Sequence, residues 1–188
     1  RQGYPFGSST LDYPKVDVGS QVIIKLLGYL TGSWVASLKL FFLLGFFLTF
    51  ASSYLASRLL GLSFSSSILV AFLFTFIPFH FLRLNHLNFT FYFVIPIYWF
   101  IALNFNSVSI MKTIKDSGYL KKFLAMLVIF LLSLFGLYYT FFGIVILTIG
   151  FIASLYDDTS YYKVKVFFLT LFLLIFGTVA QLSPHFYN

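Results

Sequence analysis

Apolar residues run along this chain in blocks long enough to be counted as membrane spans. A bilayer core of about 30 Å takes about 20 residues of helix, and runs near that length fall at 34–56, 62–79, 87–103, 120–135, 139–155 and 164–180. The pattern predicts an all-α fold: a polytopic transmembrane helix bundle of about six spans over 34–188, preceded by an external loop over 1–33. That loop is polar and turn-rich, with Gly3, Pro5, Gly7, Pro14 and Gly19 interrupting it. Inside it, Val22, Ile23, Leu26, Leu27 and Leu30 sit at helical spacing around Lys25. This predicts a short amphipathic helix lying in the membrane interface, with Ser20 as its N-cap.

The polar breaks carry the rest of the organisation. Trp34 and Tyr54 stand where interfacial aromatics stand, Lys39 is close enough to the first span's end to snorkel, and Arg58 closes that span. The second and third spans are joined by a turn holding Pro78, His80, Arg83, Asn85 and His86, the richest polar cluster in the chain. A loop with Lys112, Lys115, Lys121 and Lys122 then separates the first three spans from the last three. From Tyr119 to Leu155 no charge follows Lys122, and the stretch is too long for one ordinary span and barely long enough for two. Gly136 with Tyr138 and Tyr139 is the expected reversal, at or slightly inside the membrane surface, where irregular backbone must be covered by protein or line a wet cavity. A second loop holds Asp157, Asp158, Lys163 and Lys165, and the last span ends in Ser183, Pro184 and His185.

Composition fits this picture. The chain is 60% hydrophobic and 9% charged, with 28 Phe and 13 Tyr, more apolar surface than a soluble domain of this size can hide. Its formal charge of +7 comes from Lys and Arg placed singly or in pairs between apolar runs, which argues for topology signals and against nucleic acid. With no cysteine, disulfides and thiolate metal sites are ruled out. A first residue other than Met, with no signal-peptide order behind it, reads as part of a longer chain.

Cytoplasmic loops collect Lys and Arg. Placing the N-terminal loop outside puts Arg58, Lys112, Lys115, Lys121, Lys122, Lys163 and Lys165 inside at high density, against Arg1, Lys15, Lys25, Lys39 and Arg83 outside. The N-terminal loop, the His80 to His86 turn, the Gly136 to Tyr139 turn and the C-terminal tail then share the external face. Asp12 and Asp17 are its only acids. Each could serve as general base toward an acceptor hydroxyl or amine, or ligate a divalent cation; each could equally hold a turn through side-chain to backbone bonds. His80, Arg83 and His86, three residues apart, form one cationic face if helical, suited to a phosphate at headgroup level; snorkelling toward ordinary phospholipid is the alternative. Two histidines six apart are a poor metal pair. Tyr138 and Tyr139 could pack on a sugar ring or be belt residues. Asp157 and Asp158, beside Lys163 and Lys165, read as a solvated turn. No Gly-rich phosphate loop, nucleophile elbow or HExxH occurs.

The order Tyr4-Pro5-Phe6-Gly7, then Leu11-Asp12-Tyr13-Pro14 with Asp17, then Phe76-Ile77-Pro78-Phe79-His80-Phe81-Leu82-Arg83 with His86, then Gly136-Leu137-Tyr138-Tyr139-Thr140-Phe141-Phe142 resembles a group of largely uncharacterised bacterial multi-pass membrane proteins. These look like membrane glycosyltransferases of the GT-C type. The resemblance implies inverting transfer of a sugar from a polyprenyl-phosphate carrier to an acceptor on the outer side of the cytoplasmic membrane. It implies Asp12 or Asp17 as catalytic base, Arg83 on the carrier phosphate and Ser20 to Leu30 as an external amphipathic helix. Within these 188 residues the Asp-Glu pair, the first helix and the C-terminal soluble domain of that pattern are not found. Two other readings stand beside it: a transporter or flippase for a lipid-linked or polar solute, and a non-catalytic assembly subunit. A transporter places ionisable groups or broken helices near the midplane, whereas these charges cluster at one face.

Overall fold

The computed structural model describes residues 17–78, 81, 90–105, 107, 115–156 and 161–182. Among these the regular structure is helical: α1 (Val18–Thr31), α2 (Trp34–Leu59), α3 (Phe64–Thr75), α4 (Val94–Asn104), α5 (Tyr119–Ser133), α6 (Leu137–Leu155) and α7 (Tyr161–Leu182). Helices α2, α6 and α7 are long and apolar enough to cross a membrane. Every apolar run expected from the sequence contains a helix, but two are cut short. In the run at 62–79, α3 ends at Thr75 and Ile77 is non-helical, because Pro78 disfavours helical backbone in the residue before it; helical backbone returns at Pro78 itself. In the run at 87–103, Thr90 has 3₁₀ backbone and α4 starts at Val94, with Pro96 in its first turn where a missing N–H costs nothing. At 1.5 Å per residue, α3 and α4 each extend less than about 20 Å.

The outside of the molecule is apolar and much of the inside is hydroxylic. Phe47, Phe72, Phe141, Phe168 and Phe172 are exposed, while Ser37, Thr49, Ser53, Ser67, Ser154 and Thr170 are buried. Water-soluble bundles show the reverse. In lipid the driving force between helices is close packing, and small residues provide it. Helix α2 buries Ser37, Phe41, Gly45, Thr49, Ser53 and Ser57, every fourth residue, and α3 answers with Ser67, Ala71 and Thr75. Spans of this length with an apolar exterior mark a membrane protein.

The helices form a sequence of neighbours. Helix α2 packs on α1, α3 and α4; α4 packs on α6, α6 on α7, and α7 on α5. Three approaches are close enough to require glycine. A Cβ on Gly143 would lie 2.6 Å from the Tyr98 ring, and one on Gly150 would lie 2.7 Å from Ala102 Cβ and 2.8 Å from its carbonyl. On Gly177 it would collide with Ser133 Oγ.

Two phenyl clusters mark the two ends. At one, Phe41 of α2 stacks on Phe91 at 4.4 Å, and Phe91 and Phe93 pack on Phe135 in the α5–α6 turn at 5.9 and 4.9 Å. At the other, Phe151 and Phe167 stack at 4.0 Å with Phe105 set edge-on to both. The first end gathers the start of α1, the end of α3, the start of α4, the α5–α6 turn and the end of α7. The second gathers the ends of α2, α4 and α6 and the starts of α5 and α7. Basic residues concentrate at the second: Arg58, Lys115, Lys121, Lys122, Lys163 and Lys165. There Arg58 Nη1 donates to the Leu62 carbonyl at 2.7 Å, closing the α2–α3 turn.

Helix α3 meets α2 along only part of its length. Its first turn lies by Tyr54, whose ring is 6.2 Å from Phe64, and its last by Phe46, 5.5 Å from Phe76. Helix α2 continues twelve residues beyond Phe46 to Trp34, about 18 Å. The Tyr92 hydroxyl donates to the Thr75 and Phe74 carbonyls at 3.0 and 3.3 Å, satisfying the freed end of α3.

The glycine contacts generate a prediction. Gly150→Ala gains about 1 kcal/mol of helix propensity but drives a methyl group into the Ala102 backbone, which cannot swing aside; overpacking of this kind costs about 1–3 kcal/mol. The variant should melt below wild type in detergent, followed by tryptophan fluorescence. Gly118→Ser, in open space at the α5 N-cap, should melt no lower than wild type.

Candidate functional site

The end where α1 begins brings four chain segments into contact through polar groups. Asp17 is the N-cap of α1, with Oδ1 accepting from the Ser20 N–H at 3.3 Å. The sequence expectation had Ser20 as the cap; it lies in the first turn and is the residue capped, because Asp17 holds the preceding non-helical position. The N–H groups of Asp17 to Ser20 are the four that no helix can satisfy internally, and those of Val18, Gly19 and Ser20 have partners outside the helix ladder. Val18 N–H goes to Gln181 Oε1 at 3.0 Å, Gly19 N–H to the Leu134 carbonyl at 2.8 Å and Ser20 N–H to Asp17 Oδ1, while Gln21 N–H makes the first intrahelical bond, to the Asp17 carbonyl at 3.2 Å. These three N–H groups are not free for a phosphate.

Gln181, near the end of α7, is the hub of the contact. While Oε1 takes the Val18 N–H, Nε2 donates to the Ser133 carbonyl at 2.8 Å and to the Gly177 carbonyl at 3.4 Å. Only one orientation of the amide serves a donor on one side and two acceptors on the other. The Ser133 carbonyl also accepts from Thr140 Oγ1 at 3.2 Å. Carbonyls left over at the end of α5 are thus taken up by α1, α6 and α7. The Phe135 ring lies so close over Gly19 that a Cβ there would be 2.8 Å from it.

Asp17 is buried, 8% exposed, and among the described residues its only side-chain partner is Ser20. Burial pushes its carboxyl up from 3.8 to about 6, the hydrogen bonds from Ser20 opposing the rise. Among the described residues no cation contributes. An acid in this state is ionised for most of the time at neutral pH and holds a proton readily, the property of a general base.

Of the other expected site residues, Tyr138 and Tyr139 follow the α5–α6 turn, whose Gly136 has φ +86. The reversal is where the sequence put it. Tyr139 is buried and Tyr138 half exposed, their rings 5.9 Å apart and Tyr138 4.7 Å from Phe142. The start of α1 and the two tyrosines thus adjoin the same turn, Gly19 through its bond to the Leu134 carbonyl and its contact with Phe135. Asp12, His80, Arg83 and His86 lie outside the described residues. Thr75 and Thr90 to Tyr92, on either side of the histidine-rich segment, are at this same end of the bundle. For the divalent cation, the described residues hold no group of three His, Cys, Asp or Glu side chains, and Asp17 by itself is not a cation site.

Beside the hub, a shallow groove of about 130 Å³ opens between α6 and α7, walled by Leu137, Phe141, Ile144, Ile175 and Val179 with Thr140 and Thr178. Both threonine hydroxyls are turned onto backbone carbonyls, Thr140 onto Ser133 and Gly136 and Thr178 onto Leu174, so the groove presents hydrocarbon. Sequence reasoning missed Gln181, Ser133 and Thr140. Gln181 was placed past the end of the last span, yet it continues the buried series Lys163, Phe167, Thr170, Leu174, Gly177 at alternating steps of four and three. That periodicity was the available signal.

The raised Asp17 value fixes the sign of a stability effect. The folded state binds the Asp17 proton more tightly than the unfolded state does, so its contribution to stability is complete below about pH 4 and is lost as pH rises through 6. Asp17→Asn keeps an acceptor for the Ser20 N–H and cannot ionise. Its melting temperature in detergent should therefore exceed wild type at pH 7.5, with the gap shrinking toward zero near pH 4. Asp17→Ala loses the cap and should fall below Asp17→Asn at every pH, by about 1 kcal/mol.

No protein-family model matches this sequence, and neither a curated protein nor a solved structure resembles it to a significant degree.

Proposed function

We propose that the chain crosses the cytoplasmic membrane about six times, with the α1 end outside, and transfers a sugar from a polyprenyl-phosphate donor to an acceptor at the outer face. The observation that carries this reading is Asp17: a buried carboxylate with no counter-ion among the described residues, one oxygen engaged by its cap, and a proton affinity brought to about 6. In the reaction Asp17 takes the proton from an acceptor hydroxyl as that oxygen attacks the anomeric carbon. The bond to the carrier phosphate breaks with its electron pair leaving on the phosphate, where Arg83, with His80 and His86, meets the charge. Tyr138 and Tyr139 pack on the sugar. Asp12 is the alternative base. The orientation is supported by the basic residues at the opposite end of the bundle.

A second reading, a transporter or flippase for a lipid-linked or polar solute, is favoured by one specific observation. Helix α3 is interrupted after Thr75, about 18 Å short of the start of α2, and the Thr90 to Tyr92 segment is buried, with the Tyr92 hydroxyl on the Thr75 carbonyl. Half-length helices of this kind line substrate sites in transporters.

Transfer of radiolabelled sugar from polyprenyl-phosphate donors, measured in membranes carrying the full-length protein, separates the readings. Wild type should transfer, with kcat/KM falling below about pH 6. Asp17→Asn should lose at least two orders of magnitude while still inserting, and Arg83→Ala should weaken use of the donor. Activity surviving in Asp17→Asn but lost in Asp12→Asn would move the base to Asp12. No transfer from any donor, with solute movement in proteoliposomes, would establish the transporter.

A further inference from the structure

The unit formed by Asp17 and Val18 is held from every side. The carbonyl of Asp17 accepts from Gln21 N–H, the N–H of Val18 is taken by Gln181 Oε1, and the Asp17 side chain is held by Ser20 N–H. Two of these partners belong to α1 itself. The third comes from the far end of the described chain. Gln181 is 6% exposed, and its own orientation is set by the Ser133 and Gly177 carbonyls. A peptide plane gripped at both its N–H and its C=O cannot rotate, and the direction in which Asp17 leaves the backbone is fixed with it.

We infer that Gln181 is a positioning residue for Asp17: an amide splint that fixes the carboxylate by holding the Val18 N–H on the joined ends of α5 and α7. The inference rests on the reading of Asp17 as the base, but it predicts a property of Asp17 that can be read without sugar transfer. The described elements around Asp17 bring few other titratable groups: Lys25 and Tyr29 on α1, Lys39 on α2, Tyr92 and Tyr98 by and on α4, and Tyr138 and Tyr139 on α6; none contributes to its titration, which burial and Ser20 set. A change at Gln181 is therefore legible in the carboxyl's proton affinity.

Gln181→Glu keeps the acceptor for Val18 N–H, removes the donor to the Ser133 carbonyl, and brings a negative charge beside Asp17. Gln181→Leu keeps the bulk and removes both bonds. The titration of Asp17 is read from the carboxyl band in infrared difference spectra of the full-length protein in lipid nanodiscs, using Asp17→Asn in each background as the reference. Gln181→Glu should raise the midpoint by about one pH unit, and Gln181→Leu should displace or broaden it while the helical content stays at the wild-type level. An unchanged Asp17 midpoint in both variants overturns the inference, whatever the activity shows. Shifted midpoints in a protein that transfers no sugar leave the splint standing and remove the glycosyltransferase reading. In an active enzyme, the acid limb of kcat/KM should move with the midpoint in Gln181→Glu; a limb that stays in place overturns the positioning role while leaving the enzyme. A variant that loses helical content is replaced by Gln181→Asn, one methylene too short to span from Gly177 to Val18, with the same midpoint test.

Discussion

A helix end inside an apolar bundle has no water to turn to, and most of this structure follows from how its helix ends are satisfied. Each end frees four backbone groups, and leaving one unpaired in a dry environment costs several kcal/mol. The chain meets that demand with side chains, some local and some from distant segments. Tyr92 closes α3, Gln181 and Asp17 close α1, Thr140 and Gln181 share the end of α5, and Arg58 closes the turn after α2. These bonds connect elements that have little apolar reason to choose one another in lipid, where the helix faces are all alike. Small residues at every fourth position decide how closely α2 and α3 approach; polar end-contacts decide which ends meet.

Asp17 is the element of this network whose chemistry exceeds its structural task. An asparagine would cap α1 as well, and would avoid burying a charge. The rise in its proton affinity from 3.8 to about 6 corresponds to roughly 3 kcal/mol favouring the neutral form, a sizeable fraction of what holds a small domain together. The start of α1 offsets part of that, since its own dipole favours a negative cap, but the ends of α5 and α7 point their carbonyls at the same place and act the other way. A carboxylate retained against such a penalty fits a role in proton transfer better than one in capping alone. The same location explains why the site is so heavily braced. A base that must meet an acceptor within hydrogen-bond reach gains nothing from a mobile helix end.

What the sequence made legible were the features set by length and composition. The apolar runs that became α2, α6 and α7 are long, and nothing in them interrupts helical backbone. The reversal at Gly136 was legible because only a residue without Cβ takes that φ easily beside so short a turn. The true lengths of α3 and α4 were not, since apolar Ile77, Phe91 and Phe93 read as continuations of helices, while Pro78 and the ring packing around Phe135 decide otherwise. Asp17 stood out as one of two external acids, but its work as the cap of α1 was credited to Ser20, three residues on. Gln181 was invisible as a functional residue because its role exists only in the fold, 163 positions away from its partner. Asp12, His80, Arg83 and His86 remain readings of the sequence.

The short α3 sets the enzyme and transporter readings on different physical ground. If the bundle works at its rim, the polar groups that matter are those joined to Asp17 and Gln181, and the break after Thr75 is only a place where backbone must be sealed by the Tyr92 hydroxyl. If it works as a transporter, that seal lies on the path of the solute: opening it would free the Phe74 and Thr75 carbonyls, which the solute or water would then have to satisfy. Both the Phe74 and Thr75 carbonyls are engaged by one hydroxyl, and the segment that supplies it is stacked between Phe41 and Phe135. Breaking it would also disturb the ring that lies over Gly19 and, through it, the start of α1. Movement at the end of α3 is thus tied, through the Phe91 and Phe135 rings, to the start of α1 where Asp17 sits.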